Sequence, residues 1–210
     1  MNASPLSKIT LSLPGGACRL ETLDAAHAEE LFAAAHDPVI WKYIPHPYGG
    51  VSSLTDMRSL IARALEAEER GTELPFAIIE TKSGRAIGST RYLDIQPGNR
   101  ALEIGATWID PRSQRSAVNT ECKYLLLRHA FESLWPAAEA SRAGAERVQL
   151  KCDGRNVKSQ AAILRIGAVY EGTLRRHRVL TDGFVRDTAY FSVIREEWAE
   201  VKRRLERLLR

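Results

Sequence analysis

The sequence predicts an α+β fold: one domain with a mixed, mostly antiparallel sheet, flanking helices and a single central βαβ unit. Three observations predict it. Short turns, Lys82-Ser83-Gly84, Gln96–Arg100 and Thr181-Asp182-Gly183, separate strand-like runs, and turns this short join antiparallel neighbours. A strand running to Asp110-Pro111 is instead followed by a polar loop, a long apolar-faced helix and another strand at 147–152, a crossover that sets two strands in parallel. No repeat, low-complexity tract or linker divides the 210 residues, a length able to bury one sizeable core.

The elements follow in order. Residues 9–13 and 17–22 read as strands around the turn Pro14-Gly15-Gly16. Asp24 is placed to cap a helix with Ala28, Leu31, Phe32 and Ala35 on its apolar side, ending before Pro38. Val39–Gly50 is aromatic, contains two prolines and two glycines, and has no period, so it reads as a loop. Its Trp41, Tyr43 and Tyr48 either line a substrate pocket or anchor the loop on the core, and His36 and His46 flank it. Ser52 or Ser53 caps a helix to about Arg70, with Leu54, Met57, Ile61 and Leu65 on one stripe and Gly71 ending it. Strands at 74–80, 85–94 and 101–109 follow. The next helix ends near Trp135 and carries His129, which reads as structural. After a small, polar stretch at 136–146 come the strand at 147–152, a helix at 156–166, and hairpin strands at 168–180 and 185–194. An amphipathic helix at 196–210 closes the chain, with Trp198, Val201, Leu205 and Leu208 on one stripe.

Composition narrows the class. Hydrophobic content of 44% and charged content of 27% are those of a globular protein, and a formal charge of +4 suits an anionic ligand without requiring one. The three cysteines, Cys18, Cys122 and Cys152, are scattered, show no metal-ligand spacing and read as reduced thiols. No apolar run reaches membrane-spanning length, and the start lacks an export pattern, so a cytoplasmic protein with no membrane partner is expected. Arg175-Arg176-His177-Arg178 and the tail VKRRLERLLR are basic. The first reads as a solvated strand face or as a lure for an acidic peptide, RNA or a phosphate. RNA ranks last, because these strands lack interleaved aromatics.

The strand-loop-helix at 104–133 carries the most chemistry. A loop feeding a helix start offers unpaired N–H groups and a positive dipole end, a site for a phosphate-bearing ligand, with Arg112 and Arg115 adding charge.

The order of elements, together with Leu102-Glu103-Ile104-Gly105, Asp110–Glu121, the helix 125–131, Asn156-Val157-Lys158-Ser159, Ile163–Ala168 and Glu171-Gly172, resembles the GNAT acyltransferase family, in particular its ribosomal-protein serine/alanine N-acetyltransferase branch. The likeness covers nearly all of residues 9–197, within one GNAT-like domain spanning 1–210. It implies an acetyl-CoA-dependent N-acyltransferase acting on a primary amine, either a protein N-terminus or a small molecule. The alternative is a non-catalytic module that kept the fold to bind CoA or a partner. The family loop Q/R-x-x-G-x-G/A is departed from: Gln114 matches, but Ala117 and Asn119 replace both glycines. The resemblance implies that backbone groups of Gln114, Arg115, Ser116, Ala117, Val118, Asn119 and Thr120 hold a pyrophosphate. It implies that a strand-end amide near Ile109 polarises the thioester and that Asn156 meets the pantetheine arm or caps its helix. Glu103 is then the candidate base, its bland reading being an exposed strand residue. Ser159 is the candidate acid or thiol-side donor, its bland reading being a helix-start hydroxyl. Relatives of this family are often homodimers.

Overall fold

The computed structural model describes residues 9–44, 50–135 and 143–210. Tyr48 and His46 lie outside the described residues. Eight strands form one sheet: β1 (Thr10–Ser12), β2 (Cys18–Thr22), β3 (Leu74–Glu80), β4 (Ala86–Gln96), β5 (Ala101–Ile109), β6 (Arg147–Asp153), β7 (Val169–Val179) and β8 (Val185–Ile194). Their spatial order is β1-β2-β3-β4-β5-β6-β8-β7. Every neighbouring pair is antiparallel except β5 with β6, which is parallel. The crossover between those two strands contains α3 (Val118–Glu132).

The helices divide between two faces. On one lie α1 (Ala28–Ala34) and α2 (Leu54–Glu69), packed over Ala77, Ile79, Ala86 and Trp108. On the other lie α3, α4 (Val157–Arg165) and α5 (Trp198–Leu208), over Leu20, Phe76, Ile104, Leu150 and Phe191. Local chemistry explains the starts. Ser53 and Asp56 form a reciprocal capping box at α2, with Asp56 N–H donating to Ser53 Oγ at 3.1 Å and Ser53 N–H donating to Asp56 Oδ2 at 2.9 Å. Hydrogen bonds from Ser52 and Ser53 hold the Asp56 pKa down to about 2.

Several expectations are corrected. Asp24 does cap, accepting from Ala26 N–H, but the first turn is 3₁₀ over Ala25–His27 before α1 begins. The stretch after Pro38 is a 3₁₀ turn over Pro38–Trp41 rather than plain loop. α3 ends at Glu132, three residues short of Trp135. In α5, Leu208 is 40% exposed and leaves the stripe formed by Trp198, Val201 and Leu205. No described helix is long and apolar enough to cross a membrane.

Candidate active site

β5 and β6 pair only at Ala101–Arg147, Leu102–Val148 and Glu103–Gln149. Beyond Glu103 the two strands part. The opening becomes a cleft of about 870 Å³, lined by Gly105–Ile109 on one side and Leu150, Lys151 and Cys152 on the other. A bulge sharpens the parting. The β4–β5 ladder skips from Arg91–Gly105 to Ser89–Trp108, and Ala106 takes a φ of 47°. The bulge also turns Thr107 toward α3, where its Oγ1 bonds Thr90 Oγ1 at 2.8 Å and accepts from Lys123 Nζ at 2.7 Å.

Lys123 gave no signal as a site residue in the sequence. It lines the cleft yet is only 7% exposed, and burial lowers its pKa to about 8. It forms no ion pair among the described residues. Its surroundings were the available signal: Val118 and every residue from Thr120 to Leu127 are buried, so a lysine in that run has no route to bulk water except the cleft.

At the cleft's upper end, Gln114, Arg115, Ser116 and Asn119 line the wall. The missing glycines do not strain this loop. Ala117 sits at φ −66° and ψ −19°, ordinary right-handed backbone, and the left-handed residue is Arg115 at φ 58°. Ala117 precedes α3 without a side-chain cap, so the first amides of the helix face outward as donors. Of these, the Val118 N–H is engaged, by Ser116 Oγ at 3.3 Å. Val118 and Thr120 place their side chains away from the cleft. Val118 is core, and Thr120 Oγ1 accepts from Arg165 at 2.7 Å. Arg112 also leaves the site, because it is folded back on Asp110 through Nη2–Oδ2 at 2.6 Å and Nε–Oδ1 at 3.1 Å. Lys158 takes its place, donating to Gln114 Oε1 at 2.6 Å from the α4 side. Gln114 Nε2 in turn holds the Ile109 carbonyl at 2.9 Å. Glu121 is structural: its Oε2 accepts from Ala17 N–H at 2.7 Å and ties the first hairpin to α3.

Glu103 is no exposed strand residue. It is 3% exposed, paired with Lys151 Nζ at 2.7 Å and receives Gln149 Nε2 at 3.2 Å. Ser159 and Asn156 face it across the cleft from α4. Asn156 Oδ1 caps α4 by accepting from Ser159 N–H at 3.0 Å. Burial pushes the Cys152 thiol up in pKa, against a hydrogen bond with the Ser159 side chain.

Another wall of the cleft comes from distant segments. Tyr43 lines it. Trp41 does not: it packs on Trp108 with ring centroids 5.3 Å apart, and its Nε1 donates to the Ala35 carbonyl at 3.1 Å. It anchors its own 3₁₀ turn to the core. From the far edge, His177, Arg178 and Arg186 also line the cleft, so the basic run at 175–178 is not simply a solvated face. His177 Nδ1 meets Thr188 Oγ1 at 3.0 Å. Burial lowers its pKa, and Lys151, Arg178 and Arg186 push the same way, which favours the neutral ring near neutral pH.

The acetyltransferase (GNAT) domain signature matches residues 18–169. The chain belongs to the GNAT acetyltransferase family. Over 144 residues, 69% of this chain and 74% of the other, it is 26% identical to the ribosomal-protein-serine acetyltransferase of Escherichia coli (strain K12). A solved acetyltransferase structure from T. thermophilus is 34% identical, with each chain covered 100% and a TM-score of 0.80. Mycobacterium smegmatis RimJ, solved with CoA-disulfide, shares the fold at a TM-score of 0.76 and 20% identity, covering 97% of this chain and 95% of that one.

Proposed function

We propose that this GNAT protein transfers the acetyl group of acetyl-CoA to a primary amine, a peptide N-terminus or a small-molecule amine, by direct attack of the amine on the thioester. One observation carries the reading: β5 and β6 part directly below an uncapped helix start, and the gap holds Glu103 on one wall and Ser159 on the other. The edge of β5 released from β6 leaves main-chain groups free to pair with an extended arm. The amides of Arg115 to Asn119, apart from the engaged N–H of Val118, together with the side chains of Arg115 and Lys158, suit a pyrophosphate.

Within this site Glu103 takes the proton from the incoming ammonium, directly or through water, and Lys151 fixes the carboxylate in position. Ser159 donates toward the departing sulfur. The amide near Ile109 polarises the carbonyl, since developing charge there is met by a fixed dipole. The absent glycines are the motive for a non-catalytic module. The relaxed backbone at Ala117 removes strain as an argument for it.

Titration with acetyl-CoA, competed by CoA, tests the cofactor half of the reading. Release of thiol from a panel of amines tests the transfer. If acetyl-CoA binds and no amine is turned over by either the wild type or Glu103→Gln, the chain is a binding module.

A further inference from the structure

We propose that the acceptor amine carries an anionic group, a carboxylate or a phosphate, and that Arg186 and Arg178 hold it at the carboxyl end of β6. This inference rests on the acetyl-transfer reading and specifies its substrate class. The first observation is an unmet donor. Arg186 is 5% exposed and lines the cleft, and its Nε has no hydrogen-bond partner among the described residues. The nearest carboxylate, Asp153, is 3.8 Å away, beyond hydrogen-bond range. Asp153 is already taken by Arg155, through Nε–Oδ1 at 2.9 Å and Nη2–Oδ2 at 2.8 Å. A buried guanidinium with an idle N–H is costly, and an anion entering from the cleft would satisfy it.

The second observation is the charge balance. Arg178 stands opposite Arg186 in the β7–β8 register, lines the cleft and forms no ion pair among the described residues. Lys151 is matched by Glu103, and Arg155 by Asp153. On the wall formed by β6, β7 and β8, Arg178 and Arg186 are, among the described residues, the guanidiniums without a carboxylate in hydrogen-bond range. Burial lowers the Arg186 pKa, and Arg178 pushes the same way against Asp153. The cleft's other carboxylates, Glu73 and Asp94, belong to the opposite end of the strands, and Glu73 is paired with Arg91 at 2.9 Å.

The third observation sets the length. Tyr190 pairs with Lys151, which holds Glu103. Arg186 lies four residues before Tyr190 on the same strand, about 13 Å at ~3.3 Å per residue. Allowing for the reach of the arginine side chains, that span places an acidic side chain at about the second to fourth residue of an extended peptide. A phosphate on a comparably long amine fits the same chemistry. Tyr43 lines the cleft, and its ring lies 5.8 Å from the guanidinium carbon of Arg155, the residue that occupies Asp153.

The test uses the full chain saturated with CoA for binding, or supplied with acetyl-CoA for turnover. Tetrapeptide amides carrying aspartate or asparagine at the third residue form one arm, and phosphoethanolamine against ethanolamine forms the other. The expected result is a preference of roughly tenfold or more for the anionic member in kcat/KM and in binding. That preference should collapse toward one in Arg178→Gln and in Arg186→Lys, and persist in the remote control Arg203→Gln. Arg178 is exposed, so its variant keeps the test decisive if the Arg186 variant does not fold. A preference in one arm alone identifies the source of the anion. Equal use of both members of each pair overturns the inference while leaving acetyl transfer standing. Failure of acetyl-CoA to bind overturns acetyl transfer instead, and the aspartate peptide is then titrated into the free protein, where loss of its preference in Arg178→Gln still reports the pair.

Discussion

The two halves of the cleft, which our proposal assigns to cofactor and acceptor, are built by different means. The cofactor half is main chain: the free edge of β5 and the amides that open α3, with side chains such as Gln114 and Lys158 bracing them. The acceptor half is side chain: Glu103 and Lys151 from adjacent strands, Tyr43 from the loop after α1, and His177, Arg178 and Arg186 from a hairpin more than seventy residues beyond Glu103. A main-chain site tolerates substitution wherever the backbone angles are ordinary, which is why Ala117 can stand where the family has glycine. A side-chain site changes its chemistry with each residue, so acceptor choice can drift while cofactor use stays fixed.

Glu103→Gln gives the largest expected effect. It removes the proton acceptor but leaves the main-chain half untouched. We expect kcat to fall by about 10²–10³-fold, with acetyl-CoA affinity within about twofold by titration. Turnover within threefold of wild type would move the base elsewhere, His177 being the next titratable group on that wall.

The cofactor half is broken by bulk. Asn119 lines the cleft as the second residue of α3, and Asn119→Trp is expected to weaken acetyl-CoA binding by at least about tenfold by occupying that space. Asn119→Gly, which restores the family residue, should leave affinity within about threefold and cost roughly 0.5 kcal/mol in urea unfolding, because glycine is the poorer helix former. If the glycine variant instead bound far more tightly, the side chain rather than the backbone would govern this half.

The same division decides what the sequence reveals. The strand-loop-helix at 104–133 is legible because a helix start presents the same amides whatever its residues. Asn156 and Ser159 are legible as a cap and its neighbour, and the structure pairs them so. Arg178 and Arg186 are not, because facing depends on register. The two pair beside the hairpin, before the irregularity between Leu174 and Arg178, and it is the β6–β8 pairing, between segments far apart in sequence, that brings them to the cleft. Trp41 and Tyr43 lie two residues apart in an aperiodic loop, and only packing on Trp108 shows which is anchor and which is wall.

Lys123 lies where the halves meet, and its charge can be read through stability. Its pKa is about 8 folded against 10.5 unperturbed. Below pH 8 both states hold the proton, and the folded state bears the burial penalty. Between pH 8 and 10.5 the unfolded chain keeps the proton that the folded one has lost, so stability rises with pH. Lys123→Met should therefore be more stable than wild type at pH 7 by about 2 kcal/mol, an advantage that narrows by pH 10. Urea midpoints at the two pH values give the difference. An advantage that does not change with pH would mean the amine is solvated through the cleft.

The smallest effect tests whether the cofactor half uses side-chain charge at all. Arg112 sits in the phosphate-facing loop by sequence, yet its guanidinium is committed to Asp110 and its side chain is 74% exposed. Burial raises the Asp110 pKa, and the hydrogen bonds and charge of Arg112 more than offset this, holding the carboxyl below its ordinary value. Asp110 is itself buried, its side chain 5% exposed, but keeps the residue 112 N–H at 2.9 Å when the guanidinium is lost, so Arg112→Ala should cost roughly 1–2 kcal/mol in unfolding. Its acetyl-CoA affinity should stay within about twofold, with an unchanged dependence on salt. Were Arg112 instead a phosphate ligand, affinity would drop about tenfold at low ionic strength and the loss would shrink as salt screened the wild-type contact. The ionic-strength series separates a loop that binds through its amides from one that binds through its arginines.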